Sequence, residues 1–137
     1  MSTFVWPVRV YYEDTDSGGV VYYANYLRFM ERARTEWLRS LGFEQDRLIR
    51  EQGIVFAVRS ARIDYLRPAR FNDLLNVISE LQHRGRASLT FNHTVVRQHE
   101  ASQPCCSGEV KIACIDANSF RPQPLPETLL KELADDS

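Results

Sequence analysis

The hydrophobic pattern of this 137-residue chain changes from a helical to a strand-like period near Gly53. Between Tyr26 and Gly42, apolar residues recur every three or four positions, which predicts one long amphipathic helix ended by Gly42. These residues are Tyr26, Leu27, Met30, Ala33, Trp37, Leu38 and Leu41. After Gly53, apolar and polar residues alternate in successive runs, which is typical of strands with one buried face. Such a chain must bury its bulky helix against its sheet.

Turn residues between these runs set the expected bounds of each element. The expected strands are 5–13, 54–66, 74–83, 87–97 and 105–116, with a polar loop at 98–104. Shorter helices are expected at 44–51 and 126–133. The length suits a single compact domain over residues 1–137. The prediction is an α+β fold with a five-stranded antiparallel sheet around a central helix. Because such a sheet has exposed edges, a dimer or higher oligomer is expected.

Composition argues against several classes of function. The formal net charge is −1, which gives no support for nucleic-acid binding. No segment approaches the ~20 apolar residues that a transmembrane helix needs, and the N-terminus lacks the pattern of a secretory signal. The sequence therefore predicts a cytoplasmic protein with no nucleic-acid partner and no transmembrane segment.

The cysteines indicate neither disulfides nor a metal centre. An odd number of three, two of them adjacent, does not fit a disulfide framework. No Cys or His pair has the spacing of zinc ligands. We therefore expect reduced Cys105, Cys106 and Cys114 on strands, and no metal site. His93 alternates with apolar residues and is expected to be a core or interface histidine.

Acidic residues cluster just before the long helix, and only Ser17 separates Asp16 from Gly18 and Gly19. An acid in this position is often a helix cap or a favourable contact with the helix dipole. A chemical role is the alternative, because glycines let a ligand approach the backbone and the apolar residues up to Tyr22 and Tyr23 would shield a carboxylate from water. Free N–H groups at the helix start could also stabilise an oxyanion.

The segment Asp-Thr-Asp-Ser-Gly-Gly-Val-Val-Tyr at 14–22 resembles the signature of hotdog-fold thioesterases, in particular the YbgC acyl-CoA thioesterases associated with the Tol-Pal system. The resemblance continues through Asn25-Tyr26, Glu31-Arg32-Ala33-Arg34 and residues 64–73, and it extends to 4-hydroxybenzoyl-CoA thioesterases. It implies a hotdog fold and hydrolysis of an acyl-CoA to coenzyme A and a carboxylic acid. It also implies a site at a dimer interface, in a dimer or a dimer of dimers. No cofactor is expected, since coenzyme A belongs to the substrate.

The resemblance also assigns roles to residues. Asp16 falls on the catalytic aspartate, which attacks the thioester carbonyl or activates a water molecule. Tyr23 falls where a backbone N–H polarises that carbonyl, and Gly19 and Tyr22 are expected to contact the substrate. Glu31 is a rival acid, about 12 Å further along the helix. Pairing of Glu31 with Arg28 or Arg34 is the favoured alternative.

One departure leaves alternatives open. Many YbgC members carry His at the position of Tyr23, and a Tyr phenol with a pKa near ~10 cannot replace it as a base. One alternative is a non-catalytic module that binds an acyl group or acyl carrier protein, peripheral to the inner membrane. Tyr23 also favours an aryl-CoA thioesterase. Arg84 and Arg86 flank a glycine turn and are candidate ligands of coenzyme A phosphates, with surface ion pairing as the alternative.

Overall fold

The computed structural model describes residues 3–136, and this part of the chain folds into one antiparallel sheet with three α-helices. The strands are β1 (Thr3–Arg9), β2 (Ile54–Tyr65), β3 (Leu74–Arg84), β4 (Ser88–Arg97) and β5 (Glu100–Asp116). The helices are α1 (Asn25–Ser40), α2 (Gln45–Gln52) and α3 (Glu127–Asp136). Neighbouring strands run antiparallel in the order β1-β3-β4-β5-β2. The predicted α+β hotdog architecture is confirmed.

Helix α1 buries its apolar stripe against one face of the sheet. Phe29, Met30 and Ala33 on α1 are fully buried, as is every second residue along the middle of β3, β4 and β5. Gly108 on β5 permits this close packing. A Cβ atom there would lie 2.5 Å from Ile63 Cδ1 and 3.1 Å from Met30 Cε. The absence of a side chain at Gly108 therefore lets the centre of α1 approach the sheet.

Helix α1 differs from the predicted pattern at Leu27 but ends near the predicted position. Leu27 was expected in the buried stripe, but 39% of its surface is exposed, so that prediction was wrong. It lies in the first turn at the margin of the stripe. The predicted stop at Gly42 agrees with the end of α1 at Ser40, and Gly53 ends α2 in the left-handed region with a φ of 66°.

The first strand is shorter than predicted. It ends at Arg9 instead of residue 13, and Tyr12–Asp14 form a single 3₁₀ turn. The Asp14 carboxylate causes this turn by accepting a hydrogen bond from the backbone N–H of Tyr11 at 2.8 Å. The loop that precedes α1 therefore begins earlier in the chain than the sequence indicated.

The predicted polar loop at 98–104 was also wrong, because β5 already begins at Glu100. The pairing between β4 and β5 shifts register between Val95 and Val96 and again between Val96 and Arg97. These irregularities break the alternation of buried and exposed side chains. The start of β5 is exposed and held by backbone pairing, so hydrophobic periodicity could not reveal it.

No α-helix within residues 3–136 has the length and apolarity needed to cross a bilayer.

Candidate active site

Asp16 lies in a tight loop between the 3₁₀ turn and α1. Its backbone N–H donates to Val20 O at 2.9 Å, and Gly19 N–H donates back to Asp16 O at 3.0 Å. Gly19 has a φ of +78°, which favours glycine, so the sharp turn depends on it. The Asp16 carboxylate is exposed, and its Oδ1 accepts a hydrogen bond from Gly18 N–H at 2.8 Å. No donor within residues 3–136 bonds Oδ2, which leaves one carboxylate oxygen available to a ligand.

The backbone at Tyr23 provides an unused donor on the same loop. Tyr22 N–H donates to Asp14 O at 2.9 Å, and Asn25 N–H donates to Tyr22 O at 2.8 Å. Between them, the N–H of Tyr23 finds no acceptor among the described residues. It stands two positions before the first residue of α1, where the helix dipole presents its positive end. A free N–H in this position is suited to stabilise an oxyanion.

Asp14 and Asn25 form the buried base of the loop. The Asp14 carbonyl accepts a hydrogen bond from Tyr22 N–H and a second from Asn25 Nδ2 at 3.0 Å. Both side chains are buried, and the Asp14 carboxylate is engaged by Tyr11 N–H. Asp14, one of the clustered acids, therefore serves the structure of the loop, whereas Asp16 and Glu13 are exposed.

A second loop, residues 66–73, packs beside the first and closes a groove. Val21 N–H donates to Ala69 O at 2.8 Å, and Ala69 N–H donates to the Tyr26 hydroxyl at 3.2 Å. The groove between the loops has a volume of about 270 Å³. Its lining residues are Val21, Tyr23, Tyr26, Tyr65, Leu66, Arg67 and Pro68. Within the single protomer Asp16 does not line this groove, whereas Val21 and Tyr23, which follow it in the chain, do.

Aromatic rings dominate one side of the groove. The ring of Tyr23 lies 4.8 Å from that of Tyr22 and 6.0 Å from that of Tyr65, and Tyr65 lies 5.8 Å from Tyr26. Burial raises the pKa of the Tyr26 hydroxyl to about 12, and burial also raises the pKa of Tyr65. Both hydroxyls therefore stay protonated at neutral pH and act as hydrogen-bonding groups, not as bases.

Other residues named from the sequence lie elsewhere. Glu31 is exposed on α1 and forms no ion pair with Arg28 or Arg34 among the described residues, and Arg34 bonds His93 instead. Arg84 and Arg86 are exposed around the turn between β3 and β4, which lies about 33 Å along β3 from the end that adjoins the loops. One protomer therefore does not bring these two arginines together with Asp16, and their contact with coenzyme A phosphates stays a prediction.

Three hydrogen-bonded polar side chains lie buried beneath α1, and sequence patterns did not predict their contacts. Arg34 Nη1 donates to His93 Nε2 at 3.0 Å, so His93 Nδ1 carries the proton and donates to Ser79 Oγ at 2.8 Å. All three side chains are buried. Burial, reinforced by the charge of Arg34, lowers the pKa of His93 to about 3. Of the two predicted alternatives, a core or an interface histidine, the core position is confirmed, whereas Arg34 was missed as its partner.

The cysteines do not offer an alternative nucleophile. Cys105, Cys106 and Cys114 are free thiols and all are buried, as expected for strand residues. Burial raises the pKa of Cys106 to about 12, so its thiolate is scarce at neutral pH. The described residues contain no cluster of three or more His, Cys, Asp or Glu side chains suited to hold a metal ion.

The sequence of this chain is similar to those of known thioesterases. The family model of the thioesterase-like superfamily matches residues 10–133. Acyl-CoA thioesterase YbgC of Haemophilus influenzae is 44% identical over 124 residues, covering 90% of this chain and 89% of that protein. Acyl-CoA thioester hydrolase YbgC of Escherichia coli O157:H7 is 42% identical over 129 residues, covering 94% of each.

Solved structures show the same fold. A 1,4-dihydroxy-2-naphthoyl-CoA thioesterase from Synechocystis superposes with a TM-score of 0.90 at 25% identity, covering 98% of this chain and 97% of that one. A probable thioesterase from Bartonella henselae superposes with a TM-score of 0.85 at 32% identity, covering 91% of this chain and 100% of that one.

Proposed function

The chain belongs to the thioesterase-like superfamily and to its YbgC acyl-CoA thioesterases, and we propose that Asp16 and the backbone N–H of Tyr23 carry out its hydrolysis of acyl-CoA. The observation that carries this assignment is the placement of two unused groups on one short loop. Oδ2 of Asp16 and the N–H of Tyr23 both lack a partner among the described residues. One supplies negative charge for attack, and the other receives the negative charge that develops on the thioester oxygen.

The chemistry balances by either of two routes. In one, Asp16 attacks the thioester carbonyl, the C–S bond breaks, coenzyme A leaves as a thiolate, and water hydrolyses the acyl–aspartate anhydride. In the other, Asp16 takes a proton from a water molecule that attacks the same carbon, the C–S bond breaks, and coenzyme A leaves as a thiolate that takes up the proton from Asp16. Both place the oxyanion at the start of α1 and use no metal ion or redox cofactor. A single turnover in oxygen-18 water distinguishes them, because only the first route can transfer the label to Asp16.

A specific observation favours aromatic acyl groups as substrates. Tyr23, Tyr26 and Tyr65 line the groove beside the proposed donor, with the ring of Tyr65 edge-on to that of Tyr23 and tilted against that of Tyr26. Tyrosine rings pack well against flat aromatic groups. The Synechocystis structure described above is that of an aryl-CoA thioesterase. An aryl-CoA is therefore the second candidate substrate class beside an aliphatic acyl-CoA.

A substrate panel tests the activity and the acyl class together. Thiol release should be followed with a thiol reagent for short aliphatic, long aliphatic, benzoyl and 4-hydroxybenzoyl CoA thioesters. We expect steady release over many turnovers on at least one class, and a higher kcat/KM for the aryl thioesters if the groove holds the acyl group. Release that stops at one equivalent or never exceeds the blank would contradict catalysis and would restore the alternative of a non-catalytic binding module.

We also propose that two copies pair along their β2 edges. Strand β2 has no proline, and Val58 on it is 56% exposed. The other edge, β1, contains Pro7, which lacks a backbone donor. The end of β2 touches the site through Tyr65, so a partner at this edge would lie beside the groove. A dimer of dimers remains a further prediction.

Sedimentation equilibrium at micromolar concentration tests this assembly. The expected mass is twice that of one chain, or four times for a dimer of dimers. Specific activity should fall when the protein is diluted below the concentration at which the pairs dissociate, since the partner completes the site. A monomer that keeps full activity at all concentrations would contradict the proposal.

A cytoplasmic location at the inner membrane and contact with acyl carrier protein stay predictions.

A further inference from the structure

Tyr65 connects the sheet to the proposed oxyanion donor. It is the last residue of β2, and its hydroxyl donates to the backbone oxygen of Tyr23 at 3.2 Å. Its ring also lies between the rings of Tyr23 and Tyr26. We propose that Tyr65 is a positioning residue that orients the Tyr23 backbone for catalysis. This inference rests on the proposed function, in which the N–H of Tyr23 polarises the thioester.

The carbonyl of Tyr23 has no place in the hydrogen-bond ladder of the helix. Helix α1 begins at Asn25, its N-cap is Ala24, and Leu27 N–H donates to Ala24 O at 3.2 Å. Among the described residues, the Tyr65 hydroxyl is the donor that reaches Tyr23 O. Without that donor the carbonyl would be free to rotate, and its negative end could turn towards the oxyanion. The resulting repulsion would oppose the stabilisation that the neighbouring N–H provides.

The other contacts of the loop hold the peptide before the Tyr23 carbonyl and leave that carbonyl itself free. Asn25 N–H bonds Tyr22 O, in the peptide that carries the Tyr23 N–H, and Val21 N–H bonds Ala69 O. The Tyr23 side chain is 60% exposed, so packing restrains it little. The hydroxyl of Tyr65, on the last residue of β2, restrains the next peptide, Tyr23–Ala24, by bonding its carbonyl, and so keeps that carbonyl turned away from the oxyanion.

The position of the Tyr65 hydroxyl suits a role in catalysis better than a role in the stability of the fold. The residue is 47% exposed at the wall of the groove, so loss of its oxygen leaves no buried unsatisfied group in the core. Burial and the neighbouring Cys106 and Tyr23 raise the pKa of Tyr65, which keeps it a donor at neutral pH. Removal of the oxygen alone should therefore affect turnover far more than folding.

Tyr65→Phe tests the inference, because it keeps the ring and removes the donor. With the best substrate of the panel, we expect kcat to fall about 10-fold, the order of one lost hydrogen bond, while KM changes less than about 2-fold. The melting temperature should stay close to that of the wild type. Tyr12→Phe is the matched control, since Tyr12 is 80% exposed and its hydroxyl has no partner among the described residues. Its kcat should equal that of the wild type.

Several results would overturn the positioning role. A Tyr65→Phe variant with wild-type kcat would do so, as would a rise in KM at constant kcat, which would assign Tyr65 to substrate binding alone. A fall in kcat seen only near the melting temperature would indicate a structural role. Failure of this inference is distinguishable from failure of the proposed function, which is tested separately by substitution of Asp16.

Discussion

Replacement of Asp16 by Asn is expected to reduce kcat for acyl-CoA hydrolysis by at least about 10²- to 10⁴-fold, the range associated with a positioned acid–base group. The amide has nearly the same shape as the carboxylate but is neither a nucleophile nor a base. The fold should survive, because the side-chain oxygen can still accept the hydrogen bond from Gly18 N–H. The free energy of unfolding, measured in urea, should stay within about 0.5 kcal/mol of the wild-type value.

Two matched variants show whether the effect is specific to Asp16. Glu13 and Glu31 are exposed acids on either side of the loop, and neither contributes a hydrogen bond to it among the described residues. Glu13→Gln and Glu31→Gln remove the same unit of charge and should keep most of the activity. Turnover that persists in Asp16→Asn and disappears in Glu31→Gln would transfer the catalytic role to the acid on α1.

The free energy of unfolding should fall as the pH is lowered from about 6.5 to about 3, owing to His93. Its pKa is 6.5 in an unfolded chain and is lowered to about 3 by burial and by Arg34 in the fold. Within this window the unfolded state binds a proton that the folded state does not, so acid favours unfolding. At about 1.36 kcal/mol per unit of pKa, His93 alone contributes about 5 kcal/mol of stability that is complete above pH 6.5 and lost by pH 3.

His93→Gln isolates this contribution from that of the carboxylates. The Gln amide can accept from Arg34 and donate to Ser79 but does not titrate. Urea unfolding of both proteins between pH 3 and 7 should show a much flatter pH dependence in the variant. His99→Gln, at an exposed position, should leave the curve unchanged. Parallel curves for His93→Gln and the wild type would contradict a neutral, buried His93.

Hydrophobic periodicity predicted the fold where one face of an element is buried. The alternation of Leu89, Phe91, His93 and Val95 placed β4 correctly, and these side chains are buried. Hydrophobic periodicity failed to predict the structure where backbone hydrogen bonds, and not buried apolar side chains, determine it. Strand β1 ends early because the Asp14 side chain bonds the backbone, and the first residues of β5 are ordered by backbone pairing with exposed side chains.

The candidate site was only partly predictable for a related reason. Asp16 and Tyr23 stand in one motif, so a local pattern could identify them. Tyr65 reaches Tyr23 across 42 residues, and Arg34 reaches His93 across 59. Contacts at such separations depend on strand register and on the placement of α1, which no local pattern contains. Residues 64–73 resemble a segment of thioesterases, but nothing in their sequence specifies a contact with the backbone of Tyr23.

Pro7 has a consequence for the size of the assemblies that this chain can form. A molecule with two open sheet edges can recruit a new neighbour at each end and grow into a fibril. With Pro7 on β1 and a continuous backbone on β2, recruitment through strands is confined to one side of the molecule. Once two such sides have met, neither copy has an equivalent side left, and growth by strand addition ends with the pair.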